Sequence, residues 1–431
     1  MKLGIIGQGA AGLFLALSLI KNDPKHKLDI TLIDKNINPG RKLYVTGNGR
    51  CNLANCVVDR FSYNQDAAFK LTRDFDYIKE ISFLREYGIG TRLLDNLIYP
   101  YSLSATAFTD YVIKILKENK VKFLNKTEVL DYEVLANGIN IKLIDKSLFF
   151  DKLIISTGAK SHKVFGSDGG FFNILKKHKY SIKPLKVGLA PIKICENVKP
   201  IENERLKCVT TLFIDDHLAY KENGEVLFKK DGLSGICIFN ISSMIARDPG
   251  FKTAKIYLDL FPEIPEETLL KQFEKDNKVS KYNFLEGYFN RNIAEYIRKF
   301  CGCKNLMSFD GNDLRRILKF VKKMEFTYQS TYSFDDSQVT VGGVDIKEIN
   351  ENFESIKEKN VFLIGEVLDL DGLCGGYNLM LCFSEAQKLT NFLISQNNSW
   401  AVVIPIKKRR FRISKSSFYI QIFHQYVNQF P

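Results

Sequence analysis

Residues 4–12 read GIIGQGAAG, and this stretch decides the fold of the chain. Three of its glycines, Gly7, Gly9 and Gly12, stand in Gly-x-Gly-x-x-Gly spacing. An apolar run at 3–6 precedes them and predicts a strand, and an apolar run at 13–20 follows them and predicts a buried helix. Strand, glycine turn and helix in this order are typical of the first half of a dinucleotide-binding unit.

Each glycine of the motif has a physical role. Gly7 permits the tight turn, Gly9 lets the backbone approach a pyrophosphate, and Gly12 lets the helix pack closely on the strand. Ala10 and Ala11 open the helix, whose free N–H groups and positive dipole end favour a bound phosphate. These five residues are therefore predicted to hold the pyrophosphate.

A second strand pattern at 28–33 ends in Asp34. This acid lies roughly 20 residues past the last glycine, where a carboxylate accepts hydrogen bonds from an adenosine ribose. Its charge would also repel a 2′-phosphate. We include the adjoining Lys35 in the predicted cofactor site.

The segment that follows separates FAD from NAD. Residues 38–56 read NPGRKLYVTGNGRCNLANC, and their glycines and asparagines predict a loop rather than helix or strand. Arg41, Lys42 and Arg50 add three cations beside a site already suited to phosphate. The alternative is a basic surface loop. The interleaving of glycines, asparagines and cations directly after the nucleotide unit favours a second loop along a longer cofactor, which is FAD.

Composition sets further bounds. The chain has 431 residues, of which 45% are hydrophobic and 26% charged, so we expect two or three domains with a sizeable core. No apolar run reaches the length of about 18 residues that a membrane span needs, and the N-terminal nucleotide unit leaves no room for a signal peptide. The nine cysteines form no Cys-x-x-Cys pair. We therefore expect a cytoplasmic protein with no metal site.

The net charge is +13, which raises the alternative of a nucleic-acid partner. Lysine is abundant along the whole chain, and part of the excess lies in a basic tail at 399–431. We do not expect a nucleic-acid partner from charge alone, although a flavoprotein that binds or modifies RNA stays open as an alternative.

Pattern changes along the chain predict an interrupted domain. A strand pattern at 153–156 leads into Thr157 and Gly158. The pattern of apolar and polar residues changes near residue 190. Residues 190–335 show short strand patterns, including one at 235–241, and then charged helical periods at 265–325. We predict a discontinuous domain at 1–189 and 336–398, an insert at 190–335 with strands first and helices second, and an extension at 399–431.

Four blocks of the sequence carry a family resemblance. They are GIIGQGAAGL, GRKLYVTGNGRCNLAN, GEVLFKKDGLSG at 224–235, and VTVGGV with IGEVLDLDGLCGGYN at 339–378. With these blocks the chain resembles the bacterial NAD(P)/FAD-dependent oxidoreductases of the BaiN or aminoacetone-oxidase-like type. The resemblance implies an α/β fold, in which a Rossmann-like FAD-binding domain is interrupted by a β-barrel-like and helical insert.

The resemblance also implies a set of contacts with FAD. Besides the residues above, it assigns to the cofactor Arg41, Lys42, Thr46, Gly47, Asn48, Gly49, Arg50, Cys51, Asn52, Val129, Thr157, Gly158, Gly365, Glu366, Gly375, Gly376, Tyr377 and Asn378. The chain departs from the family pattern at Ala159, at Lys229-Lys230, at Ser234-Gly235-Ile236 and at Glu385, and these departures concern the substrate more than the cofactor.

For chemistry, we expect an oxidoreductase that acts on a small organic substrate, with NAD(P)H as a candidate transient donor. Arg50, Tyr377 and Asn378 are the predicted catalytic residues, because they carry polar groups expected near the ring. Tyr377 as a packed aromatic residue is the alternative for that side chain. A redox-silent FAD-binding protein stays open as an alternative function, and the oligomeric state is not predicted.

Overall fold

The apolar run at 3–6 forms the central strand of a parallel sheet. A computed structural model of the chain describes residues 1–248, 250–305 and 308–398, and residues 1–394 belong to one compact unit. The predicted extension at 399–431 lies outside the described residues.

The strands are β1 (Lys2–Ile6), β2 (Asp29–Ile33), β3 (Ala54–Asn55), β4 (Thr91–Leu94), β5 (Leu97–Pro100), β6 (Lys122–Leu124), β7 (Asp131–Leu135), β8 (Gly138–Lys142), β9 (Ser147–Phe150), β10 (Lys152–Ile155), β11 (Lys186–Gly188), β12 (Ile192–Ile194), β13 (Arg205–Ile214), β14 (His217–Lys229), β15 (Gly232–Ser234), β16 (Ala254–Asp259), β17 (Met324–Thr331), β18 (Val339–Val341) and β19 (Val361–Leu363). The helices are α1 (Ala10–Asn22), α2 (Thr46–Gly49), α3 (Asp66–Asp74), α4 (Tyr77–Glu86), α5 (Ala105–Glu118), α6 (Phe171–Lys177), α7 (Ile236–Arg247), α8 (Glu266–Val279), α9 (Arg291–Phe300), α10 (Gly311–Lys322) and α11 (Tyr377–Asn398).

The parallel sheet has the strand order β19-β10-β1-β2-β6. Its central strands are buried along nearly their whole length, as expected for a parallel sheet covered on both faces. In register, Ile5 of β1 lies between Leu32 of β2 and Ile154 of β10. The carboxyl ends of these strands share one edge, and ligands of open α/β sheets bind at that edge.

Smaller sheets flank the parallel one. The strands between residues 131 and 150 form the antiparallel β7-β8-β9 sheet, and β11 pairs with β18. A further three-stranded sheet has the order β3-β5-β4. We refer to β3, β5 and β4 below as the small sheet.

The region at 190–335 contains a closed six-stranded barrel in the order β12-β15-β14-β13-β16-β17. Its apolar interior and the packed faces of α7 to α10 form a core of their own, which includes Phe228, Phe273 and Phe326. The Rossmann-like α/β fold with a barrel and helical segments is thus confirmed. The barrel strands fall at 192–331, inside the predicted insert, while the division into separate domains stays a prediction.

Two expectations for the insert are wrong. The strand pattern at 235–241 is the start of helix α7, which is buried on most sides, and a short apolar run of this kind cannot be told from a buried strand by periodicity. The order of strands before helices is also wrong, because β17 follows α10 and closes the barrel by pairing with both β12 and β16. Among the described residues, no helix combines the length and apolar character that crossing a bilayer requires.

Candidate functional site

A cavity of about 1010 Å³ opens at the carboxyl edge of the parallel sheet. Its wall includes the residues that directly follow the strands β1, β2 and β10, together with Gly365, two residues after β19. It extends from Asp34 to a turn at residues 374–376, which precedes α11. One elongated cavity therefore joins the motifs that the sequence places far apart.

The three glycines of the first motif differ in what surrounds them. Gly7 has φ +105°, and a Cβ there would lie 2.3 Å from the Ser156 carbonyl oxygen. A Cβ on Gly12 would lie 2.2 Å from the Gly7 carbonyl oxygen, whereas a Cβ on Gly9 would meet nothing within 4 Å. Close packing thus requires glycine at positions 7 and 12. Gly9 instead leaves open space on the side that faces the cavity.

The N-terminus of α1 presents backbone donors to this space. Gly9 caps the helix without a side-chain hydrogen bond, and the N–H of Leu13 makes the first bond within the helix, to the Gly9 carbonyl at 3.0 Å. Ala10 and Ala11 line the cavity. The N–H groups of this first turn and the helix dipole suit a pyrophosphate.

The Asp34 carboxylate is held in a fixed orientation on the wall. Its Oδ2 accepts from the Gln8 N–H at 2.8 Å, and its Oδ1 accepts from the backbone and side chain of Asn36, both at 2.8 Å. Lys35 also lines the cavity, with its ammonium 2.6 Å from Asp168. The structure therefore brings both predicted ribose-side residues to the cavity.

Cations of the second loop are paired within the protein. Lys42 Nζ lies 2.8 Å from Glu366 Oε2 and donates to Ser161 at 2.5 Å, and Glu366 Oε1 accepts from the Thr340 N–H at 2.8 Å. Arg41 donates to Asn36 at 3.0 Å and to the Val164 carbonyl at 2.6 Å. By contrast, Arg50 is exposed on the cavity wall and has no ion pair among the described residues.

The loop at 46–52 bends through left-handed backbone. Gly47 and Asn48 have φ of 56° and 54°, and both line the cavity with Thr46 and Asn52. Cys51 is buried and does not line the cavity, and burial raises the pKa of its thiol to about 12. Gly49 likewise lies off the wall, so both residues shape the loop rather than reach the cavity.

The wall next to the sheet carries the other predicted contacts. Val129, Thr157 and Gly158 line the cavity, and the buried Thr157 Oγ1 has no hydrogen-bond partner in the described part of the chain. The Gly365 N–H donates to Glu385 Oε2 at 2.6 Å. Through this hydrogen bond Glu385, a departure from the family pattern, supports the backbone beneath the cavity. Burial raises the pKa of its carboxyl group to about 8.

Two predicted catalytic residues, Asn378 and Tyr377, use their polar groups to bind backbone groups of the protein. Asn378 accepts from the Gly372 N–H at 2.8 Å and donates to the Gly372 and Leu373 carbonyls, so its amide closes the loop before α11. Tyr377 donates to the Val57 carbonyl at 2.8 Å, packs edge-on against Tyr63 and does not line the cavity. The geometry favours the alternative of a packed aromatic residue, and a catalytic role for Tyr377 stays a prediction that these contacts do not support.

The 374–376 turn is held from both sides. Asn55 of the small sheet donates to the Gly375 carbonyl at 3.0 Å, and Asn240 of α7 accepts from the Cys374 N–H at 2.8 Å. Gly376 has φ +88°, and a Cβ there would lie 2.6 Å from the Ala54 backbone. The turn is therefore positioned by the small sheet and by the insert together.

Sequence reasoning missed several wall residues. They are Gln8, Leu97, Tyr99, Leu189, Ile236, Phe239, Gln338 and Cys374, with much of the segment at 165–174, which leads into α6. Most of them sit outside any glycine-rich motif, and the strand pairing that brings Leu97 and Tyr99 to the 374–376 turn is a tertiary contact. Gln8 and Cys374 lie within the family blocks, and Ile236 and Phe239 lie within the run at 235–241 that the sequence singled out as a strand.

These residues fit FAD. The open space at Gly9, the donors of α1, the fixed Asp34 carboxylate and the Thr157 hydroxyl, which has no partner among the described residues, all lie on one cavity that extends to the 374–376 turn. The fold and this site define a Rossmann-type flavoprotein that binds FAD and acts as an oxidoreductase. The chain belongs to the HI0933-like family, since the family model described as "HI0933-like protein Rossmann domain" matches residues 1–391.

Two curated relatives extend over most of the chain. A 3-dehydro-bile acid delta(4,6)-reductase from Clostridium scindens is 28% identical over 395 residues, which cover 88% of this chain and 95% of the relative. A ribosomal RNA dihydrouridine synthase from Escherichia coli K12 is 27% identical over 409 residues, covering 92% and 98%. Among solved structures, the 3-ketosteroid delta1-dehydrogenase of Sterolibacterium denitrificans aligns over 91% of this chain and 99% of its own, with a TM-score of 0.47 and 11% identity.

Proposed function

We propose that this oxidoreductase reduces a carbon–carbon double bond conjugated to a carbonyl group in a small organic substrate, with NAD(P)H as electron donor. The observation that carries the proposal is the composition of the cavity beside the 374–376 turn. Leu189, Ile236 and Phe239 give that end of the cavity an apolar wall, and Tyr99 adds a protic group. Such a wall suits a carbon skeleton with few polar atoms.

The names of the two curated relatives support the same reaction class. A delta(4,6)-reductase of a 3-dehydro steroid acts on double bonds conjugated to a ketone, and dihydrouridine is uridine whose ring double bond, conjugated to a carbonyl, has been saturated. The two substrates differ widely in size and polarity. What they share is the bond that is reduced, and we carry only that to this chain.

When bound and reduced, FAD supplies the hydride for such a reaction. The residues of this chain hold the cofactor and supply the proton. The first motif and the Lys42–Glu366 pair hold the nucleotide end, and the N–H groups at the start of α11 favour negative charge near the 374–376 turn.

Tyr99 is the residue we assign to hold the proton that the reduced bond receives. Its side chain lines the cavity, while the hydroxyl of Tyr377 is bound to a backbone carbonyl. Burial raises the pKa of Tyr99, and the Arg50 guanidinium opposes that rise in part, so the hydroxyl keeps its proton at neutral pH.

The donor is proposed to share the cavity with the substrate. The sequence contains no second Gly-x-Gly-x-x-Gly segment after residue 12 that would mark a separate nicotinamide domain. Donor and substrate are proposed to bind in this cavity one after the other, which predicts ping-pong kinetics.

The proposal is tested by reducing the FAD-loaded protein anaerobically with NADH or NADPH and then adding a conjugated enone. We expect recovery of the oxidised flavin spectrum and a product heavier by two hydrogens. Tyr99→Phe is expected to slow this second half-reaction by roughly a hundredfold, in the range of general acid catalysis, and to leave reduction by NADPH unchanged. If Tyr99→Phe matches the unaltered protein in the rates of both half-reactions, Tyr99 is not the proton donor.

RNA is the second candidate substrate. The net charge of +13 and the similarity to a ribosomal RNA dihydrouridine synthase favour it. Binding of an RNA fragment across a salt series separates the two candidates, because phosphate contacts give a steep fall of affinity with salt. Formation of dihydrouridine in that RNA by the reduced protein would establish the second candidate.

A further inference from the structure

We propose that Leu189 is a specificity-determining residue that limits the width of the apolar end of the cavity, and that Ser242 and Ser243 of α7 are positioning residues for it. The inference rests on the proposed function, since it concerns the wall assigned to the substrate, and it adds a steric limit on that substrate. The observation behind it is a buried leucine in a backbone conformation that leucine rarely adopts.

Leu189 lies in the link between β11 and β12, the first strand of the barrel along the chain. Its φ is +48°, in the left-handed region where a side chain is sterically disfavoured and glycine is the ordinary residue. Most of the other described non-glycine residues in this region are Asn, Asp, Lys or His. Leu189 is instead aliphatic and only 1% exposed. Glycine would adopt this backbone without steric conflict, so the leucine indicates a role for its side chain.

Three hydrogen bonds fix the backbone of this link. The Leu189 N–H donates to Ser243 Oγ at 2.9 Å, and the Ala190 N–H donates to Ser242 Oγ at 3.0 Å. The Leu189 carbonyl accepts from the Gln338 N–H at 3.1 Å. Both serines are fully buried, so water does not compete for their hydroxyl groups. Two consecutive serines of one helix therefore hold two consecutive peptide groups of the link.

The same helix supplies the neighbouring wall. Ile236 and Phe239 of α7 line the cavity together with Leu189. Ser242 Oγ, which accepts from the Ala190 N–H, also donates to the Phe239 carbonyl at 2.7 Å. This hydroxyl joins the backbone of the link to the backbone of the helix. The apolar wall is therefore held as one unit.

Leu189 is also connected to the turn at 374–376. Gln338, whose N–H binds the Leu189 carbonyl, lines the cavity, and its Oε1 accepts from the Cys374 thiol at 3.4 Å. One residue, Gln338, thus bridges the Leu189 backbone and the turn. An apolar residue fixed at this place limits the width of a carbon skeleton that approaches the turn, because a close-packed wall yields little.

The test is calorimetric titration of the oxidised, FAD-loaded protein with 4-phenylbutan-2-one and with its wider analogue 4-(naphthalen-2-yl)butan-2-one. The unaltered protein is expected to bind the phenyl ketone more tightly by roughly fivefold or more. Leu189→Gly permits the same backbone and removes the side chain, so we expect the preference to shift toward the naphthyl ketone by roughly tenfold. Leu103→Gly is the matched control, since Leu103 has φ +51° and does not line the cavity.

Ser243→Ala tests the positioning role. It is expected to shift the preference in the same direction by a smaller factor, roughly threefold, although the leucine remains. In the Leu189→Gly background the same change is expected to leave the preference unaltered, because a positioning residue acts only through the side chain that it positions. A serine with a purely structural role would lower thermal stability in both backgrounds and change the preference in neither, which would overturn this part of the proposal.

The assignment of Leu189 is overturned if Leu189→Gly keeps the original preference or if Leu103→Gly shifts it equally. It is also overturned if the unaltered protein binds neither ketone or does not prefer the phenyl ketone. If Leu189→Gly fails to retain FAD, Leu189→Ala takes its place with the same expected direction. Both ketones are saturated and binding requires no turnover, so a failure to reduce enones would refute the proposed function and leave this result readable.

Discussion

Lys42 Nζ lies 2.8 Å from Glu366 Oε2, although the two residues are 324 positions apart in the sequence. The pair joins the loop after β2 to the residue segment after β19, and Ser161 contacts both side chains. It therefore ties three separate segments of the cavity wall together. Both side chains are about three-quarters buried, which makes the pair less screened by solvent than a surface ion pair.

Lys42→Met is expected to weaken FAD binding by roughly tenfold, because it removes a charge-assisted contact from the wall and leaves Glu366 without its cation. The measurement is a flavin titration of the apoprotein. Lys21→Met is the control, since Lys21 pairs with Glu86 at 2.7 Å away from the cavity. Similar losses in the two variants would show that the effect is general charge removal.

The glycines of the first motif predict opposite outcomes for similar substitutions. Gly9→Val is expected to leave the free energy of unfolding of the apoprotein nearly unchanged and to abolish FAD binding, because its Cβ enters open space at φ −82°. Gly12→Val is expected to destabilise the apoprotein itself by about 2 kcal/mol or more, because its Cβ meets the Gly7 carbonyl. Thermal unfolding without FAD separates the two, and normal flavin occupancy in Gly9→Val would contradict the placement of the pyrophosphate.

Glu385 predicts a pH dependence of stability. Burial raises its pKa to about 8 in the folded state, whereas an unfolded glutamate titrates near its ordinary value of about 4.3. Between these values the folded state holds a proton that the unfolded state has lost, so this group makes stability fall as pH rises, by at most about 1.4 kcal/mol per unit. Glu385→Gln keeps an acceptor for the Gly365 N–H and is expected to be more stable than the unaltered protein at pH 8, with the difference shrinking toward pH 5.

Chemical denaturation across pH 5 to 8 measures this difference. Glu351→Gln, at an exposed position, is the control and is expected to leave the slope unchanged. A Glu385→Gln profile parallel to that of the unaltered protein would show that the glutamate is not protonated in the fold.

The ion pair between Arg247 and Asp371 links the insert to the segment before the 374–376 turn, and we expect the two side chains to contribute jointly to the free energy of unfolding. The guanidinium on α7 pairs with a carboxylate that is only 2% exposed, three residues before the turn. Arg247→Met leaves that carboxylate buried without a cation and is expected to cost about 3 to 5 kcal/mol. Adding Asp371→Asn is expected to recover part of the loss. Additive losses in this double variant, measured by chemical denaturation, would argue against the coupling.

Local signals predicted the nucleotide half of the molecule well. The glycine spacing, the apolar strands and Asp34 are read within about 35 residues, and each glycine role follows from backbone geometry that a short motif determines. The insert was harder, because the apolar residues of α7 are buried on most sides and lack a clear helical stripe.

Contacts between distant segments account for the features that the sequence did not predict. Nothing local to Tyr377 shows that its hydroxyl binds the Val57 carbonyl, and nothing near Tyr99 shows that β5 faces the cavity. The closing strand β17 owes its place to pairing with β12, more than 100 residues earlier. The motifs therefore predicted the cofactor, while the substrate end of the cavity depends on tertiary pairing.

Reoxidation of the reduced flavin by a conjugated enone distinguishes a double-bond reductase from other flavin-dependent oxidoreductases. FAD-loaded protein is photoreduced without oxygen and mixed in a stopped-flow instrument with 4-phenylbut-3-en-2-one or with its saturated analogue 4-phenylbutan-2-one. We expect that the enone alone restores the oxidised flavin spectrum and that it is recovered with its double bond saturated. If a panel of conjugated enones leaves the flavin reduced while oxygen reoxidises it, the protein is not a reductase of conjugated double bonds in small molecules.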